Sequence, residues 1–207
     1  MPFALTDEDI ASVHGALQPR HRDFEFSQDW FLSLIEAPRA RLDPYWAAIG
    51  LRECGSLRCT PALQALALGS RVRDVRVVAL TGVTHLMGAE ATPWLMERLA
   101  DKRYGERPWT MVCLGTAGDA RALAVVQAYA REKRLEFSKP DPLPTVQEEI
   151  AAFWLRTLGP AETTRLLETE FAAIAATLRN ALAGARPVYR DRVRARLAAL
   201  APLLGLT

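Results

Sequence analysis

Adjacent glutamates are the residues of this sequence whose type and spacing come closest to a catalytic pattern. Glu148 and Glu149, together with Glu132 or Glu136, could supply the two carboxylates that general acid–base catalysis uses. Acidic residues also favour the first turn of a helix, where the helix dipole is positive. A solvated first turn explains Glu148 and Glu149 better than catalysis does, so we expect no catalytic residue here.

Cysteine and histidine are the other reactive residue types, and the chain has three of each: Cys54, Cys59, Cys113, His14, His21 and His85. No two cysteines have the two-residue separation of a zinc knuckle or a redox motif, and the histidines form no HExxH pattern. The sequence also has no phosphate-binding loop, dinucleotide fingerprint or nucleophile elbow. We therefore expect buried, unreactive cysteines, no metal and no cofactor.

The composition excludes several classes of protein. The 207 residues are 50% hydrophobic and 24% charged, with a net charge of +2. This balance is not that of a disordered chain, and it gives little excess positive field for binding a polyanion. The acidic start of the chain is unlike a secretory signal, and no segment approaches the roughly 20 apolar residues that span a bilayer. We expect a soluble cytoplasmic protein with no membrane partner.

The elements that must position these residues are helices. Apolar residues recur at helical spacing, and no segment alternates long enough to predict a strand. Thr6 and Asp9 have the spacing of a capping box, and Ser27 is a candidate N-cap. Asp43 followed by Pro44 predicts another helix start, with the aspartate as the cap and the proline at the first helical position.

The helical segments repeat. A glycine followed by a turn and then by a Thr, Asp or Pro start signal occurs near Gly55, Gly88, Gly118 and Gly159. Glycine can end a helix in the left-handed conformation, and the start signals begin the next helix. Leucines following these junctions recur about every 30 residues. A period of this length with two helices per repeat predicts stacked helical hairpins that share one core.

Two strings resemble HEAT-like repeats, particularly the short bacterial form. They are Asp74-Val75-Arg76-Val77-Val78-Ala79 and the segment 114–123 with its LGTAGDARAL sequence. The resemblance covers residues 27–183 and is weakest at 106–114. It implies an all-α fold, a right-handed α-solenoid of about four to five hairpins in a single domain over 1–207, with residues 1–26 as an amino-terminal cap region.

A carboxy-terminal capping helix is expected over 186–204. Five arginines flank an apolar stripe in this segment: Tyr189, Val193, Leu197, Leu200 and Leu204. A terminal helix of this kind covers the end of a solenoid and keeps its outer side soluble, which we favour over phosphate contacts by the arginines. The proline-rich segment 136–145 cannot be helix, and it is either a functional loop or a plain insertion.

By the resemblance, we expect a non-enzymatic module that binds a protein partner, as an adaptor or scaffold or as an immunity protein that neutralises a toxin. In HEAT-like repeats the second helices line the concave side, so their early polar residues would face the partner. The expected partner-binding residues are Arg73, Asp74, Arg76, Arg103, Glu106, Arg107, Trp109, Glu148 and Glu149. Their mixed signs favour a protein over a phosphate backbone.

Two other functions remain open. HEAT-like alkylpurine DNA glycosylases need aromatic and acidic residues that converge on a base, and Trp109, Trp154, Asp74 and Arg76 could be assembled into such a site. The near-neutral charge disfavours this alternative, and we do not favour a nucleic-acid partner. Short HEAT-like repeats also serve as lyases or chaperones for linear tetrapyrroles, although no cysteine or histidine here forms an obvious pigment site.

Overall fold

A computed structural model describes residues 5–137, 145–184, 191, 194–200, 202, 204 and 205. These residues form α-helices, short 3-10 helices and connecting turns, with no strand, which confirms the all-α prediction for this part of the chain. The α-helices are α1 (Asp7–Leu17), α2 (Gln28–Glu36), α3 (Asp43–Cys54), α4 (Thr60–Gly69), α5 (Arg73–Met87), α6 (Thr92–Ala100), α7 (Arg107–Ala117), α8 (Leu123–Phe137), α9 (Thr145–Leu158), α10 (Pro160–Thr169) and α11 (Ala172–Gly184).

The backbone forms two compact units, Met1–Ala91 and Thr92–Thr207. The loop predicted over 136–145 was wrong at both ends, because residues 136 and 137 belong to α8 and Thr145 begins α9; residues 138–144 lie outside the described residues. Much of the predicted capping helix 186–204, including Tyr189 and Val193, also lies outside them. In that segment residues 194–196 are helical, and Leu197, Leu200 and Leu204 are buried. The single domain remains a prediction.

In the first unit, α2 packs on α3, α4 packs on α5, and α3 also contacts α5 and α1. The core contains Phe31, Leu51, Leu63 and Leu80, which are all fully buried. Edge-to-face aromatic contacts add to this core, among them Trp30 on Phe31 at a ring separation of 5.4 Å.

In the second unit, α6 packs on α7, α8 on α9 and α10 on α11. Helices two apart along the chain also meet: α6 contacts α8, α7 contacts α9 and α9 contacts α11. The fully buried side chains include Leu95, Leu114, Phe153 and Trp154.

Two of the predicted helix starts have the expected caps. Thr6 and Asp9 form a complete capping box at the start of α1, and the Ser27 hydroxyl accepts a hydrogen bond from the Trp30 amide at the start of α2. The third was wrong in detail. Leu42 is the N-cap of α3, and Asp43 is already helical, because its carboxylate accepts hydrogen bonds from the preceding loop instead of from the first turn.

The glycine junctions use two different conformations. Gly88 and Gly159 have positive φ values of 57° and 80°, which is the left-handed region that favours glycine. Gly55 and Gly118 follow their helices in an extended conformation, with φ of −77° and −64°. The left-handed helix end predicted for every junction therefore holds for two of these four glycines.

Candidate functional site

The expected partner-binding residues are divided between the two units. In the first unit, Arg73 and Asp74 lie exposed in the first turn of α5. Arg76, one turn further along, is half-buried, and its Nη1 donates a hydrogen bond of 2.9 Å to the carbonyl oxygen of Ser70. This turn therefore presents two charged side chains to solvent and uses a third to hold the α4–α5 connection.

In the second unit, Arg107 is buried at the start of α7. Its two terminal nitrogens donate to the two carboxylate oxygens of Glu132 on α8 at 2.6 and 2.8 Å, and its Nε donates to the carbonyl oxygen of Leu99 at 2.7 Å. The guanidinium carbon lies 5.0 Å from the centre of the Tyr129 ring. This bidentate geometry is the strong form of an arginine–carboxylate pair.

The pair with Arg107 fixes the charge of Glu132. The hydrogen bond from Arg107 lowers the pKa of Glu132 from its ordinary value, against the opposing effect of desolvation. The guanidinium of Arg107, which stays protonated, thus stabilises Glu132 as a carboxylate. Glu132 lacks the property of a general acid, which must carry a proton near neutral pH.

Three further expected residues lie near Arg107 in sequence. Glu106 precedes α7 and is buried, and its backbone carbonyl accepts hydrogen bonds from the amide and the hydroxyl of Thr110. Arg103 is exposed in the preceding turn, where its amide donates to the Asp101 carboxylate. Trp109 is partly exposed in the first turn of α7.

Glu148 and Glu149 lie in the first turns of α9, and they are buried, with 1% and 4% of their surface exposed. The expectation of a solvated first turn was therefore wrong. Arg196 of the carboxy-terminal segment forms an ion pair with Glu149 Oε2, and its Nε lies 3.7 Å from Glu148 Oε1. A distant arginine supplies the positive charge that makes burial of two adjacent carboxylates tolerable.

Glu149 also lies against a glycine of α7. A Cβ atom on Gly115 would be 2.6 Å from the Cβ atom of Glu149, which is closer than real Cβ contacts allow. The absence of a side chain at Gly115 therefore creates the space that Glu149 occupies. Sequence reasoning placed Gly115 in a helix-ending string and did not foresee this role.

Arg156 is a positioning residue that sequence reasoning missed. From the last turn of α9, its guanidinium donates to the carbonyl oxygens of Leu114, Gly115 and Gly118 at 3.1, 2.7 and 2.7 Å. Leu114 and Gly115 lie in the last turn of α7 and Gly118 is its C-cap, where carbonyl oxygens need partners from outside the helix. The Leu114 carbonyl also accepts a hydrogen bond from the Gly118 amide. The only signal in the sequence was a basic residue near a helix end, which does not reveal a partner on another helix.

The first unit contains a second buried carboxylate that the sequence did not single out as a site. Asp43 is fully buried and accepts hydrogen bonds from Arg20 Nη2 at 2.8 Å and from the amides of Arg39 and Ala40 at 2.9 and 2.8 Å. His21 Nε2 lies 3.2 Å from Asp43 Oδ2. Burial raises the pKa of Asp43, but the hydrogen bonds from Arg20 and from the two amides outweigh it and lower the pKa.

The remaining candidates for chemistry are not clustered. Across the described ranges, no group of three or more His, Cys, Asp or Glu residues could hold a metal ion. Cys54, Cys59 and Cys113 are free thiols, and burial raises the pKa of Cys54 to about 11.

Trp154, which the glycosylase alternative needs as an aromatic contact, is fully buried. Among the described helices, none has the length and apolar character to cross a bilayer.

Taken together, the carboxylates of Asp43, Glu132 and Glu149 are each paired with an arginine. Such pairs hold helices and loops in place. The expected residues that present side-chain surface to solvent are Arg73, Asp74, Arg103 and, in part, Trp109. These can make ionic, hydrogen-bonding and aromatic contacts with another molecule.

Comparison with protein-family models, with curated proteins and with solved structures finds no match to this chain.

Proposed function

We propose that this protein is a non-enzymatic protein-binding module built from HEAT-like hairpins, acting as an adaptor or scaffold or as an immunity protein. The observation that carries the proposal is that the expected partner-binding residues differ in exposure. Arg107, Glu148 and Glu149 are buried, whereas Arg73, Asp74 and Arg103 have exposed side chains that a partner can reach.

Helix packing supports the HEAT-like architecture. In HEAT-like arrays successive hairpins stack so that each contacts its neighbours along the chain. Within the first unit α3 packs on α5, and within the second unit α7 packs on α9 and α6 contacts α8. These contacts follow that scheme, and we propose a right-handed solenoid of about four to five hairpins.

The nine expected partner-binding residues then take two roles. Arg73, Asp74, Arg103 and Trp109 would contact the partner directly, with Trp109 as the aromatic anchor that protein interfaces favour. The other five would fix the helices that carry them: Arg76, Glu106, Arg107, Glu148 and Glu149. The mixed signs of the exposed group favour a protein surface of complementary charge.

The test is affinity purification from the native host with the full chain as bait, followed by direct binding of each recovered protein. Trp109→Ala and the double variant R73E/D74R should each weaken binding by about tenfold or more. Arg165→Glu serves as the control, because Arg165 is exposed on α10 in a local pair with Glu162 and lies outside the proposed site.

A nucleic-acid function would give a different result. Short duplex DNA would then bind with an affinity that falls steeply with salt, because each phosphate contact releases counterions. If such binding were found, were reduced by R73E and were accompanied by no protein partner, the proposal would be overturned.

A further inference from the structure

Helix α4 has a composition unlike that of the other helices in the first unit. Its sequence, TPALQALALG, contains no charged residue, and the short 3-10 helix Leu57–Cys59 leads directly into it. An exterior helix normally carries charged or polar residues on its solvent side.

The outward side of α4 carries mostly apolar and small residues, with Gln64 partly exposed among them. Pro61, Ala65 and Leu68 are exposed at positions i, i+4 and i+7, and Leu57 precedes Pro61 by four residues. We call these four residues the α4 row. The opposite side of the helix carries Leu63 and Ala67, which are fully buried. The helix is thus apolar on both sides although only one of them is covered.

The α4 row gathers most of the large exposed apolar side chains of the first unit. Among the residues that the structure describes, Leu42, Leu57 and Leu68 are the large apolar side chains left exposed, at 45%, 64% and 47%. Two of these three belong to the α4 row. Single exposed leucines are ordinary, but here two lie on the same side of an uncharged helix, with Pro61 and Ala65 exposed between them and Gln64 as the one polar side chain among them. This side of α4 can make apolar contacts with another molecule.

We propose that the α4 row binds an amphipathic helix of a partner protein whose apolar stripe is flanked by acidic residues. An α-helix presents apolar residues at the same i, i+4, i+7 spacing, so two helices of this kind pack side by side. Ala65 and Pro61 are small enough in the middle of the row for a close approach, and the leucines lie towards its two ends.

The charges beside the α4 row determine the acidic character of this partner. Arg58 follows Leu57 at one end with 60% of its side chain exposed, although it is also paired with Asp29. Arg71 is exposed just beyond the other end, in the connection to α5. Acidic residues at both ends of the partner helix would meet these arginines, which favours a correct register and disfavours basic helices.

The size of the α4 row argues for a single helix and against a second copy of this chain. Ten helical residues extend about 15 Å, and a helix is about 10 Å wide. A strip of this size is well below the roughly 800 Å² per partner that a stable protein dimer buries. It matches the contact that one partner helix makes when it packs beside another helix.

The experiment uses the full chain and a phage library of helical peptides, selected on wild-type protein and counter-selected on the double variant L57E/L68E. The enriched peptides should carry apolar residues at i, i+4 and i+7 with an excess of Asp and Glu. In fluorescence anisotropy, L57E/L68E should weaken the best peptide by tenfold or more, and Arg71→Glu should weaken it several-fold.

Leu42→Glu is the matched control, because Leu42 is exposed to a similar degree as Leu68 but lies outside the α4 row. It should leave peptide binding unchanged, and circular dichroism should show that all variants keep the helical content of the wild type. Basic enriched peptides, or binding equal for L57E/L68E and wild type, would overturn the proposal.

Two other molecules could bind the α4 row, and each would give a different experimental result that overturns the proposal. A second copy would appear as a dimer in sedimentation that L57E/L68E dissociates. A lipid surface would appear as binding to anionic phosphatidylserine vesicles that the same variant abolishes. The α4 row shares no residue with the expected partner-binding residues, and the two proposals are tested with different variants, L57E/L68E here and Trp109→Ala and R73E/D74R there. Failure of the peptide experiment therefore leaves the proposed function standing.

Discussion

The ring of Phe31 on α2 lies directly against Gly50 in the middle of α3. A Cβ atom on Gly50 would be only 2.6 Å from Cε1 of that ring, and both residues are buried. Glycine lowers the intrinsic stability of a helix, so its presence here has a packing reason. It lets α2 and α3 approach closely enough for the phenylalanine to fill the space between them.

Gly50→Ala should therefore destabilise the protein even though alanine is the better helix former. We expect a loss of about 1–3 kcal/mol in the free energy of unfolding, the usual cost of overpacking a core. Urea denaturation followed by circular dichroism measures it.

Gly15→Ala is the matched control for this prediction. Gly15 also lies inside a helix, α1, but a Cβ atom there would meet nothing within 4 Å. This variant should gain about 0.5–1 kcal/mol from helix propensity. Equal stability of the two variants would show that the contact with Phe31 carries no weight.

Breaking the pair between Arg107 and Glu132 should destabilise the second unit. Glu132→Gln removes the bidentate acceptor and leaves a buried guanidinium with a weaker partner, which we expect to cost about 2 kcal/mol at neutral pH. The folded-state pKa of Glu132 is lowered, so its stabilising effect is present above the ordinary value of 4.5 and is lost as pH falls through the folded pKa.

Chemical denaturation of wild type and Glu132→Gln across an acid titration tests both points. The difference in unfolding free energy should be constant near neutrality and should disappear in strong acid. Glu162→Gln, which breaks the surface pair with Arg165, should change nothing measurable. A difference that persists at the lowest pH would contradict an ionic origin.

Asp43→Asn should destabilise the first unit by about 2–3 kcal/mol. The amide keeps the shape of the side chain but loses the charge that Arg20 and the two loop amides bind. Since the folded-state pKa of Asp43 is lowered from 3.8, this contribution also exists above the ordinary pKa and is lost as acid protonates the folded state.

Thermal unfolding at neutral pH provides the measurement, with Asp23→Asn as the control because Asp23 is exposed. The Asp43 variant should unfold several degrees lower than the wild type and the Asp23 variant should not. Identical midpoints for the three proteins would refute a stabilising role for the buried carboxylate.

Cys54 should react slowly with thiol reagents although it is partly exposed. Burial, with a smaller effect of Cys59, raises the pKa of Cys54 to about 11, and the thiolate is the reactive form. Cys59 and Cys113 are fully buried. Mass spectrometry after iodoacetamide treatment at neutral pH should therefore find almost no label on native protein and three labels after unfolding. Rapid labelling of native Cys54 would disagree with this environment.

Local features of the fold were predictable from the sequence. The capping box of Thr6 and Asp9 and the cap at Ser27 depend on residues three positions apart. The local sequence is therefore enough to predict these helix starts. The helical class also follows from periodicity alone. The start of α3 was missed by one residue because loop amides compete with the helix for the Asp43 carboxylate.

The surroundings of the candidate site were harder to predict because they depend on distant partners. Burial of Glu149 requires both the missing side chain of Gly115 on α7 and the charge of Arg196 near the end of the chain. Nothing near Glu149 in the sequence indicates either residue. In an isolated helix the first turn would be solvated, as the local pattern predicts. In the folded protein, packing against other helices buries it instead.

The three carbonyl contacts of Arg156 have a mechanical consequence for α7 and α9. Sliding one helix along the other by a single turn would move the guanidinium by about 5.4 Å and separate it from Leu114, Gly115 and Gly118 together. The Arg156 guanidinium, which is charged at every physiological pH, thus fixes the register of the two helices. Any force that a bound molecule applies to α9 is transmitted to α7 as rigid displacement rather than as slippage.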